Sequence, residues 1–254
     1  MRIGAAGSLC YAAATGSGTG EGRTSIAASS SVFIVIPAYN EQATLGPVLD
    51  EVLAACPGAQ VVVVDDGSAD QTYEVAFSRP VHLLRHVVNL GQGAALKTGV
   101  DYALSRGARV VVTFDADGQM SATDIPLLAD PVLAGQCEVA LGTRFAGVRA
   151  EGMGTIRRLV LWAAVRFTRM TSRIPVTDAH NGFRVLSRKA AEQIEITQNR
   201  MAHASEILNE IARLKLPWIE VPVFIRYTEH SKRKGQSSLA AVDILFDLFS
   251  RPRR

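Results

Sequence analysis

Short apolar runs alternate with amphipathic stretches from Val32 to about Gly142. The apolar runs, rich in Val and Ile, predict the strands Val32–Ile36, Gln60–Val64, Val81–Arg85, Arg109–Phe114 and Glu138–Gly142. The intervening stretches have helical spacing and predict helices at Thr44–Ala55, Asp70–Ser78, Gly93–Arg106 and Thr123–Ala134. Near-continuous Val/Ile runs are typical of parallel strands covered by helices on both faces. The alternation therefore predicts an α/β fold with a doubly wound, mostly parallel sheet.

The pattern changes after Gly142. Apolar residues at helical spacing predict helices at Thr155–Arg173, His203–Leu214 and Leu239–Phe249, and the segment Ile219–Tyr227 is predicted to be extended. We expect a single domain over residues 32–238, followed by C-terminal amphipathic helices with a membrane-associating tail over residues 239–254. Residues 1–31 are rich in Ala, Gly, Ser and Thr, and they predict a disordered, low-complexity extension.

Composition narrows the class of protein. With 254 residues, 48% of them hydrophobic, the chain can bury one sizeable core. The three cysteines show no metal-binding spacing, which favours a reducing compartment, and no apolar window is long enough to span a membrane. The net charge is only +3, but arginines cluster between Arg144 and Arg173. That cluster fits a phosphorylated substrate, an anionic membrane or a solvated helix face, whereas nucleic acid is disfavoured because no aromatic residues interleave with the basic ones in a recognisable binding module.

Candidate chemistry begins where the strands end. The run Val110–Gln119 finishes in Asp115-Ala116-Asp117, and two carboxylates at a strand terminus can hold a divalent ion that neutralises a diphosphate. A solvated acidic turn is the alternative. Asp65 and Asp66 end another strand, and we expect one of them to be structural and the other to accept hydrogen bonds from a base or ribose. Because parallel strands end at one edge of the sheet, these groups should converge there.

The glycine-rich segment Asn89–Gly99 matches neither a P-loop nor a dinucleotide fingerprint, because Leu96 stands where each requires a small residue. ATPase and dehydrogenase functions therefore lose their main support. Gly91 and Gly93 still permit close approach of a backbone, and Lys97 is placed one turn into the following helix. A glycine turn that merely starts a helix is the alternative interpretation.

Six segments, in this order, together resemble family 2 glycosyltransferases of the GT-A fold: IPAYNE (Ile36–Glu41), VVVDDGSADQT (Val62–Thr72), NLGQGAALKTG (Asn89–Gly99), FDADGQ (Phe114–Gln119), GTRF (Gly142–Phe145) and DAHNGFR (Asp178–Arg184). The resemblance covers about Val32 to Leu239 and is greatest to polyprenyl-phosphate sugar transferases, similar to dolichol-phosphate mannose synthase. It implies a Rossmann-like, mostly parallel sheet and an enzyme that uses a nucleotide-sugar and Mg²⁺ or Mn²⁺.

The resemblance also implies roles for individual residues. The nucleotide-sugar would be bound by Pro37, Tyr39, Glu41, Val64, Asp66, Lys97, Asp115, Ala116, Lys232 and Arg233. The metal would be held by Asp115, Asp117 and Gln119, and the acceptor phosphate by Arg144 and Arg157. Asp117, Arg144 and Glu206 are the expected catalytic residues. Lys232 and Ser238 depart from the residues usual in dolichol-phosphate mannose synthases, so the contact in that basic loop is left open between Lys232 and Arg233.

The expected reaction is transfer of a hexose, with inversion, from a GDP- or UDP-linked sugar to a polyprenyl phosphate such as a dolichyl or undecaprenyl phosphate. A lipid phosphate is already anionic and needs no general base, whereas a sugar hydroxyl would need one, with Glu206 and Asp178 as candidates. The alternatives are a non-processive transferase to a hydroxyl in cell-envelope glycan synthesis, a sugar-nucleotidyltransferase, and a non-catalytic nucleotide-sugar-binding protein.

A lipid acceptor places the protein in the cytoplasm, peripherally bound to the inner face of the membrane. No nucleic acid partner is expected. A small integral membrane partner and a homodimer both remain open, as do the identities of the sugar and the base.

Overall fold

The structure is a computed structural model that describes residues 31–144, 176, 178 and 181–226. The strands are β1 (Val32–Ala38), β2 (Gln60–Asp65), β3 (His82–Arg85), β4 (Val110–Thr113), β5 (Val139–Thr143), β6 (Arg184–Ser187) and β7 (Trp218–Pro222). The helices are α1 (Leu45–Ala55), α2 (Thr72–Phe77), α3 (Gln92–Ser105), α4 (Ile125–Leu133), α5 (Arg188–Gln193) and α6 (His203–Leu214), and a short 3₁₀ turn (Ala122–Asp124) leads into α4.

The strands form one sheet in the order β3-β2-β1-β4-β6-β5-β7. β6 is antiparallel to both β4 and β5, while the other pairs within the described chain are parallel. The predicted doubly wound, mostly parallel sheet is therefore confirmed. The predicted strands agree with the observed ones to within a few residues, and His203–Leu214 is helical as expected.

Helices cover both faces of the sheet. Alternate residues of β1 point to opposite sides: Ile34 and Ile36 pack with α1 and α4, whereas Phe33 and Val35 pack with α3 and α6. Both faces of a central strand are thus apolar, which explains its unbroken run of hydrophobic residues. Burial of these two apolar layers is the main stabilising contribution to the domain.

The topology brings particular chain ends together. β1, β2, β4 and β5 run in the same direction, so their carboxyl ends lie at one edge of the sheet. The antiparallel β6 begins at that same edge, because Arg184 is paired with Thr113 of β4 and with Leu141 of β5. The loops after four strands and the segment before a fifth therefore share one site.

Several predicted features lie outside the described residues: the extension before residue 31, the helices Thr155–Arg173 and Leu239–Phe249, and the tail over residues 239–254. The division of the chain into domains stays a prediction. In the part of the chain that is described, no helix has the length and apolar character needed to cross a bilayer.

Candidate active site

The acids that follow β4 are held in a strongly electronegative environment. The pKa of Asp115 rises to about 7, mainly because the carboxyl is buried and also because Asp117 and Glu41 are nearby charges of the same sign, while Arg184 opposes the rise. Gln92 at the start of α3 donates from Nε2 to Asp115 Oδ1 at 3.1 Å. Carboxylates forced together in this way favour a bound cation, which would relieve their repulsion.

The ligands that the protein offers suit a metal ion whose coordination is completed by a substrate. Among the described residues, no group of three or more His, Cys, Asp or Glu side chains could hold a metal unaided. Mg²⁺ is usually bound by one or two carboxylates together with substrate phosphates, and Asp115 and Asp117 match that arrangement. Gln119 donates its main-chain N–H to Asp117 Oδ1 at 2.9 Å, which fixes the turn, and its role as a third ligand stays a prediction.

Hydrogen bonds from Arg226, at the far end of the described chain, hold this turn in place. The main-chain N–H of Arg226 donates to Gln119 O at 2.7 Å. The Arg226 guanidinium forms two hydrogen bonds to Glu51, of 2.9 and 3.0 Å, and one to Ser121 Oγ at 3.1 Å. Glu51 in turn accepts the N–H of Ala122 at 3.1 Å. The loop that carries the acids is therefore fastened to α1.

The beginning of β6 packs directly against Asp115. A Cβ added to Gly182 would lie 2.7 Å from Asp115 Oδ2, so only glycine allows this approach. Thr113 Oγ1 donates to Gly182 O at 2.5 Å and fixes the segment. Arg184 is 2% exposed, and burial lowers its pKa to about 10 although Asp115 and Asp178 favour its charged form. A buried cation thus lies between two acids.

Arg144, at the end of β5, is oriented by Asp178. Its Nε and Nη2 donate to the two oxygens of Asp178, each at 2.7 Å, and its main-chain N–H adds a third bond at 3.1 Å. Asp178 is buried. This bidentate pair uses one edge of the guanidinium and does not include Nη1, so Arg144 is held in a defined direction at the strand end.

The predicted nucleoside residues lie at the ends of β1 and β2. Pro37 and Val64 are cross-strand partners, and Tyr39 is 45% exposed. Val64 and Ala116 are buried, with the Val64 side chain in the core on the α3 face, so a ligand could reach Val64 through its main chain. These residues form one rim of the site, and their contact with a nucleotide stays a prediction.

Hydrogen bonds join the loop after β1 to the loop after β2. The N–H of Asn40 donates to Ser68 Oγ at 3.0 Å, and Asn40 Oδ1 accepts the N–H of Ala69 at 2.9 Å. The N–H of Glu41 donates to Thr72 Oγ1 at 2.8 Å. Polar residues at these strand ends therefore build the rim itself, and Tyr39 is carried on a fixed loop.

Both acids of Asp65-Asp66 have structural contacts. Asp65 accepts the N–H of Ser68 at 3.0 Å and lies 3.1 Å from Arg85 Nε. Asp66 accepts the N–H groups of Leu90 and Gly91 at 2.9 and 2.7 Å, and it lies 2.7 Å from His86 Nδ1. The expectation that one of the two acids is structural understated their engagement, because both hold the surrounding loops.

The glycines before α3 accommodate protein main chain. The N–H groups of Gly93 and Ala94 donate to Asn199 O at 2.8 and 3.3 Å, so the start of α3 is capped within the chain. A Cβ at Gly91 would lie 2.3 Å from Asn199 O, and one at Gly93 would lie 2.0 Å from Gln198 O. The close approach that these glycines permit is made by main chain of the segment 198–199, which agrees with the alternative of a glycine turn that starts a helix.

Lys97 points along the exposed side of α3. Its ammonium pairs with Asp101 one turn further on, and both side chains are about half exposed. The pair is an ordinary i,i+4 surface ion pair. The predicted contact of Lys97 with the nucleotide-sugar therefore stays a prediction without support from its neighbours.

Glu206 has local partners as well. Its Oε2 accepts hydrogen bonds from the N–H groups of Thr197 and Gln198 at 3.0 and 2.9 Å, and its Oε1 accepts one from the hydroxyl of Thr197 at 2.5 Å. These contacts brace the segment that caps α3. The predicted catalytic role of Glu206 stays a prediction, and the observed contacts give it a structural task.

Three predicted residues, Arg157, Lys232 and Arg233, lie outside the described residues. Conversely, the sequence assigned no role to Gln92 and Arg184, which interact with Asp115, or to Asn181, which precedes the glycine that packs against Asp115. The glycines around Gln92 are the only strong signal in its segment, and they do not indicate a role for the glutamine. Asn181 and Arg184 belong to DAHNGFR, but no spacing in that motif shows that an antiparallel strand starts there.

Comparison with known proteins identifies the family. Residues 33–195 match the family described as Glycosyl transferase family 2. A polyprenol monophosphomannose synthase from Mycolicibacterium smegmatis is 33% identical over 187 residues, covering 71% of this chain and 70% of that protein. An uncharacterized protein from Methanocaldococcus jannaschii is 34% identical over 220 residues, covering 85% of this chain and 90% of that protein.

A solved structure supports the same fold. Glucosyl-3-phosphoglycerate synthase from Mycobacterium tuberculosis, in complex with Mn²⁺, uridine diphosphate and phosphoglyceric acid, superposes with a TM-score of 0.64. The match covers 88% of this chain and 80% of that one at 19% identity, so it shows the GT-A fold alone. By its sequence and its fold, the chain belongs to glycosyl transferase family 2 and is a glycosyltransferase.

Proposed function

We propose that the chain transfers a hexose from a nucleotide-sugar to a polyprenyl phosphate, with inversion at the anomeric carbon. The observation that carries the proposal is the order of groups along the sheet edge. Tyr39 lies after β1, Asp115 and Asp117 follow β4, and Arg144 follows β5. Nucleoside, diphosphate and acceptor phosphate would thus occupy successive positions across the sheet.

The spacing suits a sugar between two phosphate sites. β6 separates β4 from β5, so the acids and Arg144 are two strand spacings apart, roughly 10 Å. A hexosyl group fits between a diphosphate at Asp115 and an anionic acceptor at Arg144. A lipid phosphate would then attack the anomeric carbon from the side opposite the departing diphosphate. The new C–O bond forms as the old one breaks, and the configuration at the anomeric carbon is inverted.

The protein groups have distinct tasks in this proposal. Asp115 and Asp117 would hold Mg²⁺ or Mn²⁺, which when bound neutralises charge that develops on the leaving diphosphate. Asp178 orients Arg144 so that its guanidinium meets the acceptor phosphate, a match that the planar Arg fork favours. The metal assignment has indirect support, since the solved relative contains Mn²⁺.

The contacts of the candidate bases favour a phosphate over a sugar hydroxyl as acceptor. A hydroxyl needs a general base, and both carboxylates considered for that role are already engaged. Glu206 accepts hydrogen bonds from Thr197 and Gln198, and Asp178 is paired with Arg144. A phosphate with a second pKa of about 6 needs no base near neutral pH. The named activity of the mycobacterial relative, polyprenol monophosphomannose synthase, agrees with this acceptor class.

A polyprenyl acceptor would bring the protein to the cytoplasmic face of the membrane as a peripheral protein. The sequence supports this through the basic and apolar residues of Thr155–Arg173 and 239–254. Flotation with vesicles that contain anionic lipid tests it at low salt. Recovery of all of the protein in the soluble fraction would contradict the peripheral location.

The decisive test of function is incubation with radiolabelled UDP-glucose, GDP-mannose or UDP-N-acetylglucosamine, together with undecaprenyl or dolichyl phosphate and Mn²⁺. We expect label in the organic phase after extraction, dependent on both the lipid and the metal. Reactions without lipid and reactions with Asp117→Ala protein are the controls. Label that stays in water and follows an added glycan would replace this proposal with transfer to a sugar hydroxyl.

A further inference from the structure

One buried polar group at the site has no partner among the described residues. Asn181 is 7% exposed, and its Oδ1 accepts the N–H of Phe183 at 3.0 Å. This bond fixes which side of the amide carries the oxygen, so Nδ2 faces the other way. Nδ2 is fully buried and forms no hydrogen bond within the part of the chain that the structure describes. Buried polar groups nearly always have partners, and an exception suggests that one is missing.

The other such atom in the described chain behaves differently. Asp65 Oδ2 accepts no hydrogen bond within the described residues, but it lies 3.1 Å from Arg85 Nε, which compensates its charge. Asn181 Nδ2 is a neutral donor, and the described neighbours offer it no such compensation. The N–H groups of Nδ2 therefore lack a hydrogen-bond acceptor, such as an oxygen atom, among these neighbours.

Asn181 leads into the strand that separates the two proposed phosphate sites. The next residue, Gly182, packs against the carboxylate of Asp115. Arg184 begins β6, between β4 with its acids and β5 with Arg144. A donor whose nucleoside lies near Tyr39 and whose diphosphate lies at Asp115 would extend its sugar toward β6.

We propose that Asn181 Nδ2 donates a hydrogen bond to a hydroxyl of the hexosyl group of the donor, and that it helps to determine which sugar is accepted. The inference rests on the proposed function and adds a specificity residue to it. A neutral amide matches a hydroxyl, whereas a phosphate would be better matched by a cation. Sites built to bond a hydroxyl strongly reject analogues that lack it, because the protein group is then left unpaired.

The test compares nucleotide-sugar with nucleoside diphosphate binding by calorimetry in Mn²⁺. The probe pairs are UDP-glucose with UDP and GDP-mannose with GDP. The measurements use the pair whose nucleotide-sugar wild type binds more tightly. Asn181→Ala removes the amide, while Asn181→Asp keeps an oxygen for Phe183 and removes the donor. Asn209→Ala, on the exposed side of α6, is the matched control. Each variant is first checked for an unchanged thermal transition.

We expect both Asn181 variants to bind the nucleotide-sugar about 10-fold more weakly, with affinity for the nucleoside diphosphate within about 2-fold of wild type. Deoxy-sugar donors give a second readout, independent of folding. Wild type should bind one deoxy analogue about 10-fold more weakly than it binds the parent donor. Asn181→Ala should bind that analogue and the parent donor with equal affinity.

Three outcomes would overturn the inference. Equal losses for nucleotide-sugar and nucleoside diphosphate would show a structural role, and unchanged nucleotide-sugar binding would show that Nδ2 meets only a buried water. Deoxy analogues that all bind wild type like the parent would show that no hydroxyl is contacted. Failure of the proposed function is distinguishable, because wild type itself would then bind no nucleotide-sugar or leave the organic phase unlabelled.

Discussion

The acids that end β2 and the acids that follow β4 lie on either side of β1, and their surroundings differ sharply. Asp65 and Asp66 are buried, and main-chain N–H groups, Arg85 and His86 meet their oxygens. Asp115 lies beside Asp117 and Glu41, and its pKa rises to about 7. The first pair maintains the loops, and the second stores repulsion that a ligand can relieve. Residue type alone does not separate these roles, but the neighbouring side chains do: Arg85 and His86 lie against the first pair, whereas Asp115 lies beside other carboxylates.

The largest expected effect comes from the acids after β4. Asp117→Ala should lower transfer on the order of 10³-fold, because the charge of the leaving diphosphate would lose its metal-mediated stabilisation. The thermal transition should stay within about 3 °C of wild type, since the removed carboxylate lies in an electronegative environment. Transfer to polyprenyl phosphate, measured as organic-phase label, checks the first part. Asp130→Ala, exposed on α4, is the control; unchanged turnover in Asp117→Ala would refute the metal assignment.

Asp66 should show the opposite behaviour. Asp66→Ala leaves the N–H groups of Leu90 and Gly91 without their acceptor, so the free energy of unfolding should fall by about 3 kcal/mol. Urea denaturation measures this loss, and Asp66→Asn, which keeps one carbonyl oxygen, should lose less. A variant as stable as wild type that had lost nucleotide binding would instead show that Asp66 serves the ligand, and the contrast between the two acid pairs would disappear.

The raised pKa of Asp115 predicts a pH dependence of stability. The unfolded carboxyl titrates near 3.8 and the folded one near 7, so the folded state binds the extra proton between these values. Stability of the metal-free protein should therefore fall as pH rises from about 4 to 7 and then level off. Because charges even at buried sites act through a high effective dielectric, we expect the effect to amount to about 1–2 kcal/mol.

The measurement is denaturation in EDTA across that pH range, with Asp115→Asn as the reference that lacks the titrating group. The difference between wild type and variant isolates Asp115 from the other carboxyls. Saturating Mn²⁺ should remove the dependence, because the ion stabilises the ionised form. A difference that is flat with pH, or one that grows with pH in favour of wild type, would contradict the electrostatic description of the site.

The sequence predicted the sheet well because Val/Ile runs and helical spacing are local signals. The position of the FDADGQ acids at a strand end was predicted with it, and polar residues at the carboxyl ends of buried parallel strands commonly face a ligand there. The roles of the IPAYNE residues came from the family resemblance, and their contact with a ligand stays a prediction. Neighbourhood across the sheet is not local. β6 is four residues long and antiparallel, so nothing in DAHNGFR predicts that Gly182 contacts Asp115 or that Arg184 is buried between two acids.

Glu206 offers the smallest and finest test of the same contrast. Its carboxylate resembles that of Asp66, because main-chain N–H groups and a hydroxyl donate to its two oxygens. Glu206→Gln should therefore cost about 1 kcal/mol of stability and change turnover by less than about 5-fold. Glu210→Gln, one turn later and paired with Arg213, is the matched control. A general base would behave differently: its loss lowers kcat by roughly 10² to 10⁴ with little change in stability. A large fall in kcat for Glu206→Gln, without one for Glu210→Gln, would show that a carboxylate whose oxygens already accept hydrogen bonds takes part in catalysis. It would also favour a hydroxyl acceptor over a phosphate.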